Sequence, residues 1–489
     1  MNTYTLASLA AYFVLMIAIG VYAWAKTRGD SEGYLLAGRN LSPAVTALSA
    51  GASDMSGWLL LGLPGALYAG GLVEAWIAIG LTVGAALNWI IVAPRLREQT
   101  ERLGNALTIP QFLANRFPES GTMLRVISAI IIVGFFTVYT ASGMVGGGKL
   151  FATAFGGALP VTGLSDYMLG IVITAGIVLV YTMIGGFLAV SLTDFVQGMI
   201  MMVALVVMPL VILFGTEASA AINVAAVPQD GFLSLTQGAT VIGVISAVTW
   251  GLGYFGQPHI IVRFMAIDRV ENVPRAGVIG MGWMVISLVG AVAVGLAGRA
   301  YAESTGLVVD DPETIFILLA QLLFHPAVTG FLYAALLAAI MSTIASQLLV
   351  SSSSLTEDFY RLFLRRNATE REVVNVGRIS VALVAGAAMV IAADPESQVL
   401  GLVSNAWAGF GAAFGPLILL ALLWDRMTGA GAVAGLVTGA GVVAAWIILG
   451  WNKAFLGGPG LYEIVPGFIA ALLAIVVVSG LTRPRAAAN

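Results

Sequence analysis

The sequence predicts an all-α integral membrane protein with 13 transmembrane helices, ten of them forming two five-helix sets of opposite orientation whose first helices are broken. Three observations predict it. Hydrophobic residues make up 59% of the 489 residues and charged residues only 10%, against about 45–50% and about 25% in soluble chains. The apolar residues gather into stretches near the roughly 20 residues that span a bilayer. The scarce Lys and Arg fall almost entirely in alternate connecting segments.

The totals also exclude function classes. With no Cys, disulfides and thiolate metal or iron–sulfur sites are out. The two His, His259 and His325, cannot build a multi-His metal centre. A net charge of −3 without a basic run argues against nucleic-acid binding. The 59 Gly suit close helix packing in a membrane.

The apolar stretches, in order, are Thr5–Ala25, Ser42–Ala69, Leu72–Ala93, Val126–Ala154, Tyr167–Gly185, Val190–Phe214, Thr240–Ile260, Val278–Leu296, Ala327–Val350, Ile379–Ala393, Val399–Trp424, Ala430–Gly450 and Ile464–Leu481. Ile315–Phe324 is apolar but short, and reads as an interfacial or re-entrant piece. The tenth stretch is short as bounded and is expected to borrow residues from its flanks. Basic residues follow the first stretch (Lys26, Arg28) and none precedes it, the reverse of a signal peptide, so a retained helix with its N-terminus outside is expected.

On that orientation the inside segments hold Lys26, Arg28, Arg39, Arg95, Arg97, Arg102, Arg116, Arg125, Arg263, Arg269, Arg275, Arg361, Arg365, Arg366, Arg371, Arg378, Arg426, Arg483 and Arg485. That is 19 of the 22 Lys and Arg. Only Lys149, Arg299 and Lys453 fall outside, with the acids Glu217, Asp230, Asp310, Asp311, Glu313 and Asp394. No Arg or Lys is expected at membrane depth, Arg299 being the nearest. An error in the number of spans would scramble this bias.

Two stretches are interrupted by glycine at mid-span: Ser49-Ala50-Gly51-Ala52-Ser53-Asp54-Met55-Ser56-Gly57-Trp58 in the second and Trp250-Gly251-Leu252-Gly253-Tyr254-Phe255-Gly256-Gln257-Pro258 in the seventh. Either alone reads equally as close packing through small residues. Together they open two five-span sets of opposite direction, the pattern of an inverted-repeat secondary transporter with substrate and ion at the breaks. The expected organisation is an extra helix and inside loop over 1–41, a first repeat over 42–214, an outside loop over 215–239, a second repeat over 240–426, and two extra helices with a short inside tail over 427–489.

Asp54 lies at mid-span, where a carboxylate costs at least about 2.5–3.5 kcal/mol. It is either a structural Asp bonded to backbone at the break or a coupling-ion residue. Ser342 and Thr343, in Ala339-Ile340-Met341-Ser342-Thr343, either bond back along their own helix or join the Ala52 and Met55 carbonyls in an all-oxygen Na⁺ site. Trp58, Tyr139, Trp250 and Tyr254 sit away from the interfacial belts, and either pack or box a ring or cationic nitrogen. Asp194, beside Ser191 and Thr193, reads as a helix N-cap, a polar network or a second ion site. Arg39 reads as a topology determinant or as a lining of the inside exit. Ser404 through Pro416 is a hinge or a kink. Ser351–Ser354 with Glu357 and Asp358 reads as the polar inside end of the ninth span.

Leu36-Ala37-Gly38-Arg39, Thr46 through Leu60, Trp250 through His259 with Arg263-Phe264-Met265-Ala266, Ala338 through Thr343, and Val403 through Pro416 resemble the solute:sodium symporter family. The resemblance runs from the first span to the last. It is weakest near 215–237, 302–312 and Lys453.

The resemblance implies a leucine-transporter-like fold of 13 helices in a bacterial cytoplasmic (inner) membrane, with Na⁺-coupled uptake and L-proline as the expected solute. It implies Na⁺ ligation by backbone oxygens of Ala52, Met55 and Ala339 and hydroxyls of Ser342 and Thr343, with Asp54 setting Na⁺ affinity. It implies a substrate pocket of Trp58, Tyr139, Trp250, Tyr254 and Pro258, with Ser56 and Gly57 close to substrate or ion.

Rival readings fit less well. Within transporters the rival is another solute, such as another amino acid, a carboxylate, a sugar or a vitamin, and an aromatic pocket with few polar side chains argues against sugars. A pore would need more polar lining. A transporter-like sensor would need a signalling domain, for which the eight residues after the last span leave no room. An enzyme would need a nucleophile–base or metal set. No cofactor and no protein partner are expected beyond Na⁺, the solute and the bilayer.

Overall fold

The structure of the chain is a computed structural model that describes residues 2–26, 31–157, 163–215 and 222–483. Arg28, Glu217 and Arg485 of the charge pattern lie outside the described residues. The helices in chain order are α1 (Thr3–Lys26), α2 (Ser31–Leu36), α3 (Pro43–Asp54), α4 (Leu63–Gly70), α5 (Ala75–Leu87), α6 (Ala93–Arg102), α7 (Ile109–Arg116), α8 (Gly121–Phe155) and α9 (Asp166–Phe214). They continue with α10 (Val241–Val248), α11 (Pro258–Ala266), α12 (Val273–Thr305), α13 (Ile315–Leu323), α14 (Pro326–Ser353), α15 (Glu370–Ile391), α16 (Val399–Leu423), α17 (Gly429–Ile448) and α18 (Ile464–Thr482). A two-residue hairpin, Ala454–Phe455 against Gly458–Pro459, sits between the last two.

Among the described residues, 10 helices are long and apolar enough to cross a membrane. Trp58–Gly70, Asp166–Val180, Val241–Gly256 and Pro312–Leu323 are shorter apolar helices. Two of these carry the glycine interruptions. A third precedes Gly186, whose φ of 60° and ψ of −162° turn the chain inside α9. That region is open essentially to glycine alone, so the fifth and sixth apolar stretches meet at a kink rather than a loop. The tenth stretch begins at Glu370, nine residues ahead of Ile379.

Burial sorts the helices into centre and rim. The apolar windows of α14 and α16 are 83% buried, whereas those of α1 and α18 are 28% buried and face outward. Helix α16 runs unbroken through Pro416, with Val403 and Ala406–Ile418 buried.

The first interruption follows from local chemistry. Ser42 caps α3 by accepting from the Val45 N–H at 3.4 Å, and Pro43 takes the first helical position, where a missing N–H costs nothing. The helix stops at Asp54. Met55 leaves it with ψ 77°, and the chain resumes as a π-helical turn over Trp58–Gly62. In the second interruption, Thr249–Gly256 tightens to 3₁₀ geometry, Gln257 is extended and Pro258 opens α11.

The glycines here also allow close packing. A Cβ on Gly84 would overlap the Gly251 carbonyl, and one on Gly253 would overlap the Trp407 indole. Interruption and tight packing therefore coexist.

Helix α11 corrects one expectation. The seventh stretch does not end at Ile260; it continues to Ala266 with every residue of α11 buried. Arg263 is 0% exposed. It is not in an inside loop, and a cation does lie deep in the protein. Lys149 likewise belongs to α8 rather than a loop, and is 5% exposed between Asp311 and Glu313.

Candidate functional site

The end of α3 is the starting point. Met55 N closes the last helical bond to the Gly51 carbonyl at 2.8 Å. The carbonyls that follow have no intrahelical partner, and they sit at the negative end of the helix dipole. The Ala52 carbonyl accepts from Ser342 Oγ at 2.7 Å and from Thr343 Oγ1 at 3.4 Å. Both hydroxyls also bond to the Ala339 carbonyl at 3.2 Å. Two carbonyls and two hydroxyls from α3 and α14 thus converge, all from buried residues. Back-bonding along α14 and facing the break are both present. Met55 is buried at the same turn, and no hydrogen bond ties it to these four oxygens among the described residues. The donor set is oxygen only, which suits a hard cation.

The Asp54 carbonyl gathers the aromatics. It accepts from Ser56 N at 2.9 Å, from Trp58 Nε1 at 3.2 Å and from the Tyr139 hydroxyl at 3.2 Å. The Asp54 carboxylate points elsewhere, with Oδ2 accepting from the Tyr254 hydroxyl. Gly57 packs on Ile340 of α14, which a Cβ would meet at 3.1 Å. Three predicted aromatics therefore meet at the break.

The other two predicted pocket residues stand apart from that group. Trp250 stacks on Tyr462 with ring centroids 5.2 Å apart and lies 6.4 Å from Trp407. Trp407 donates to the Trp250 carbonyl at 2.7 Å and meets Tyr254 edge-on at 5.1 Å. Pro258 lines a small cavity with Thr108, Ile109, Val262, Leu349 and Ser353. Tyr462 had no distinguishing signal in the sequence, and Trp407 stood out only as part of the run Ser404 through Pro416.

Asp194 is not an N-cap. It lies inside α9, 0% exposed, and Oδ2 accepts from Ser49 Oγ at 2.7 Å and from Arg263 Nη2 at 3.2 Å. Arg263 also donates to Ser49 Oγ at 3.2 Å, to Ser346 Oγ at 2.5 Å and to the His259 carbonyl at 2.5 Å. Its guanidinium lies over the Phe187 ring at 5.0 Å. Burying a charge demands such a set of partners. The cluster joins α3, α9, α11 and α14. A charge flanked by Ile-Ile-Val and Phe-Met-Ala was the signal that could have found Arg263.

Arg39 is 7% exposed and stands at φ 50°, a strained backbone held by its side-chain bonds. It donates to the carbonyls of Met265 at 2.7 Å and Ala106 at 2.8 Å, and to Asn105 Oδ1 at 2.8 Å. Burial pushes its guanidinium down to about 10, so it keeps its charge at neutral pH. The polar run after α14 continues as π-helix over Ser354–Leu364, where buried Asp358 pairs with Arg125 at 2.7 Å.

Residues 34–439 match the Sodium:solute symporter family. The chain is 51% identical to the osmoregulated proline transporter OpuE of Bacillus subtilis (strain 168), over 99% of this chain and 96% of that one. It is 50% identical to the sodium/proline symporter of Staphylococcus aureus (strain JH9), over 99% and 93%. In fold it resembles a Na⁺-coupled sialic acid symporter in its substrate-bound outward-open state, with a TM-score of 0.81 at 18% identity, covering 99% of both chains. A nucleobase-cation-symport-1 family transporter in a closed conformation matches less closely, with a TM-score of 0.53 at 15% identity over 92% of this chain and 95% of that one. The chain is an integral membrane protein of mostly helical fold, and it belongs to the sodium:solute symporter family.

Proposed function

We propose that the protein couples Na⁺ entry to uptake of L-proline by alternating access. The observation that carries this reading is the convergence of the Ala52 and Ala339 carbonyls with the Ser342 and Thr343 hydroxyls at the dipole-negative end of a broken helix. One half-identical relative is named a proline transporter and another a sodium/proline symporter, and both names support proline as the solute.

In this reading Na⁺ sits among those four oxygens, with the Met55 carbonyl as fifth ligand, and favours the outward-open state. Bridging α3 to α14, it fixes the broken turn that presents the Asp54 carbonyl to Trp58 and Tyr139. L-proline is a zwitterion, so its charges are met by dipoles and the bound ion. Its ring suits the aromatic group of Trp58, Tyr139 and Tyr254, with Ser56 and Gly57 adjacent. Trp250 borders this group through Trp407, which meets Tyr254, and Pro258 lines a small cavity of its own. One Na⁺ entering contributes about 2.3 kcal/mol per 100 mV, enough for roughly 50-fold accumulation before any concentration term.

The membrane arrangement that supports this has 13 spans. Ten are the long helices, and the other three are the interrupted second and seventh spans and the segment ahead of Gly186. Residues 42–214 and 240–426 form inverted repeats, with 1–41 and 427–489 outside them. The N-terminus faces out and the C-terminus in, in a bacterial inner membrane. Arg39 ties the segment before α3 to the α6–α7 loop and to the end of α11, and inward opening breaks those bonds. Asp194 already holds the Arg263 cation, so a second ion there needs that guanidinium to leave.

Uptake of labelled L-proline into proteoliposomes, with and without an inward Na⁺ gradient, tests the reading. Accumulation above the K⁺ control is expected. Equal uptake with K⁺ sinks the coupling; accumulation of another solute but not proline sinks the substrate alone.

A further inference from the structure

Asp54 is 2% exposed, and its Oδ1 has no hydrogen-bond partner. That oxygen does not belong with the four of α3 and α14, because Ser342 and Thr343 reach the Ala52 carbonyl instead. Asp54, Met55 and Tyr254 line a cavity of about 20 Å³, walled by Trp89, Phe264, Met281 and Met284. It has room for about one water molecule. Asn88 also lines it, is 1% exposed, and its Oδ1 likewise lacks a partner.

Asn88 has a second distinction. It opens a π-helical segment, Asn88–Val92, in the middle of an otherwise α-helical span, and such bulges are frequent at functional sites. The α5 helix that leads into it lies backbone to backbone on the second interruption, where Gly80 and Gly84 meet Val248 and Gly251. Asn88 is therefore carried on an element seated against the chain that bears Tyr254.

Two residues that line one small space each carry a buried oxygen without a partner, and since leaving either unpaired is costly, a common partner in that space accounts for both. Apart from Asp54, Asn88, the Tyr254 hydroxyl and the Trp89 indole, the lining side chains are apolar or carry sulfur. A Na⁺ ion needs more oxygens than the Asp54, Asn88 and Tyr254 side chains supply, so the occupant is not the coupling ion. A water can donate to both oxygens. If the amide is turned over, the water accepts from Nδ2 and still donates to Asp54.

We propose that Asn88 is a positioning residue for Asp54: across one bound water it holds the carboxylate at the end of the broken helix, and so sets the Na⁺ concentration at which the transporter works. This rests on the reading of Asp54 as the residue that governs Na⁺ affinity. The oxygen ligands of the ion itself are untouched by it.

The test measures the Na⁺ dependence of L-proline uptake in proteoliposomes for Asp54→Asn, Asn88→Ala, Asn88→Ser and the Asp54→Asn/Asn88→Ala pair. Asn88→Ala should raise half-saturating Na⁺ about tenfold, the effect of one hydrogen bond to a charged group, with the maximal rate held. The pair should be no worse than Asp54→Asn alone, because Asn88 acts only through Asp54. Asn88→Ser keeps a polar group for the water, and its shift should be about threefold, half the logarithmic effect. Should the alanine variant fail to fold, that shift still decides the matter.

A normal Na⁺ dependence in both Asn88 variants, beside a raised one in Asp54→Asn, overturns this proposal alone. So does a loss confined to the maximal rate, or a pair whose shift is the product of the single shifts. An unchanged Na⁺ dependence in Asp54→Asn overturns the reading of Asp54, and this proposal with it.

Discussion

Replacing Ser342 by Ala removes the shorter of the two hydroxyl contacts to the Ala52 carbonyl, 2.7 Å against 3.4 Å for Thr343. Ligand oxygens about 2.4 Å from a cation in octahedral array stand about 3.4 Å apart. The Thr343–Ala52 pair is already at that spacing, and in the proposed site the Ser342–Ala52 pair would have to open to it for Na⁺ to bind. Ser342 would then be the proposed ligand that exchanges a hydrogen bond for the ion.

Its loss should cost about 2 kcal/mol of Na⁺ binding, the worth of an interaction with a charged group, or roughly 30-fold in the half-saturating Na⁺ concentration. Folding should suffer little, because the Ala52 carbonyl keeps Thr343 as a partner. In the double alanine variant that carbonyl loses both partners, and a further destabilisation of about 1–3 kcal/mol follows. The assay pairs Na⁺ titration of proline uptake with thermal unfolding of the purified protein at several Na⁺ concentrations. Thr343→Ser, which keeps the oxygen, should behave nearly as the parent. An unshifted Na⁺ dependence and an unchanged Na⁺-induced rise in Tm for Ser342→Ala would refute the assignment.

Two further predictions follow from packing and charge. Arg263→Gln leaves the buried Asp194 carboxylate without its cation, and should cost about 3–5 kcal/mol of stability; adding Asp194→Asn should recover much of it, as thermal unfolding of the two variants will show. Gly253→Ala drives a Cβ into the Trp407 indole, so an overpacking cost of about 1–3 kcal/mol and loss of uptake with the protein still inserted in the membrane are expected, and full uptake would contradict the packing described here.

The helices and the two interruptions were legible because each is a local property. An apolar run of span length is visible in sequence, and Gly-rich, Pro-flanked segments mark where a helix cannot continue. Asp54 was legible as a lone carboxylate in an apolar run, and Ser342 and Thr343 as neighbouring hydroxyls. Arg263 falls outside its span in the sequence because the apolar run Thr240–Ile260 stops short of it, whereas Pro258 opens a new helix that carries the chain on to Ala266. The pocket candidates Trp58, Tyr139, Trp250, Tyr254 and Pro258 were legible by residue type but not by grouping. Trp250 turns to Tyr462 and Trp407, partners more than 150 residues away in sequence.

The sequence by itself determined that this chain is a helical membrane protein, where its helices run and where two of them break, since hydrophobicity, glycine and proline act on the residues that carry them. Only the tertiary structure decided which groups meet. The hydroxyls of α14 reach the Ala52 carbonyl, the Asp54 carboxylate turns to Tyr254 and lines one cavity with Asn88, and Arg263 finds Asp194. Those meetings depend on how α3, α5, α9, α11 and α14 are docked. A buried polar atom takes whichever partner that docking brings within hydrogen-bond reach, and no spacing along the chain encodes it.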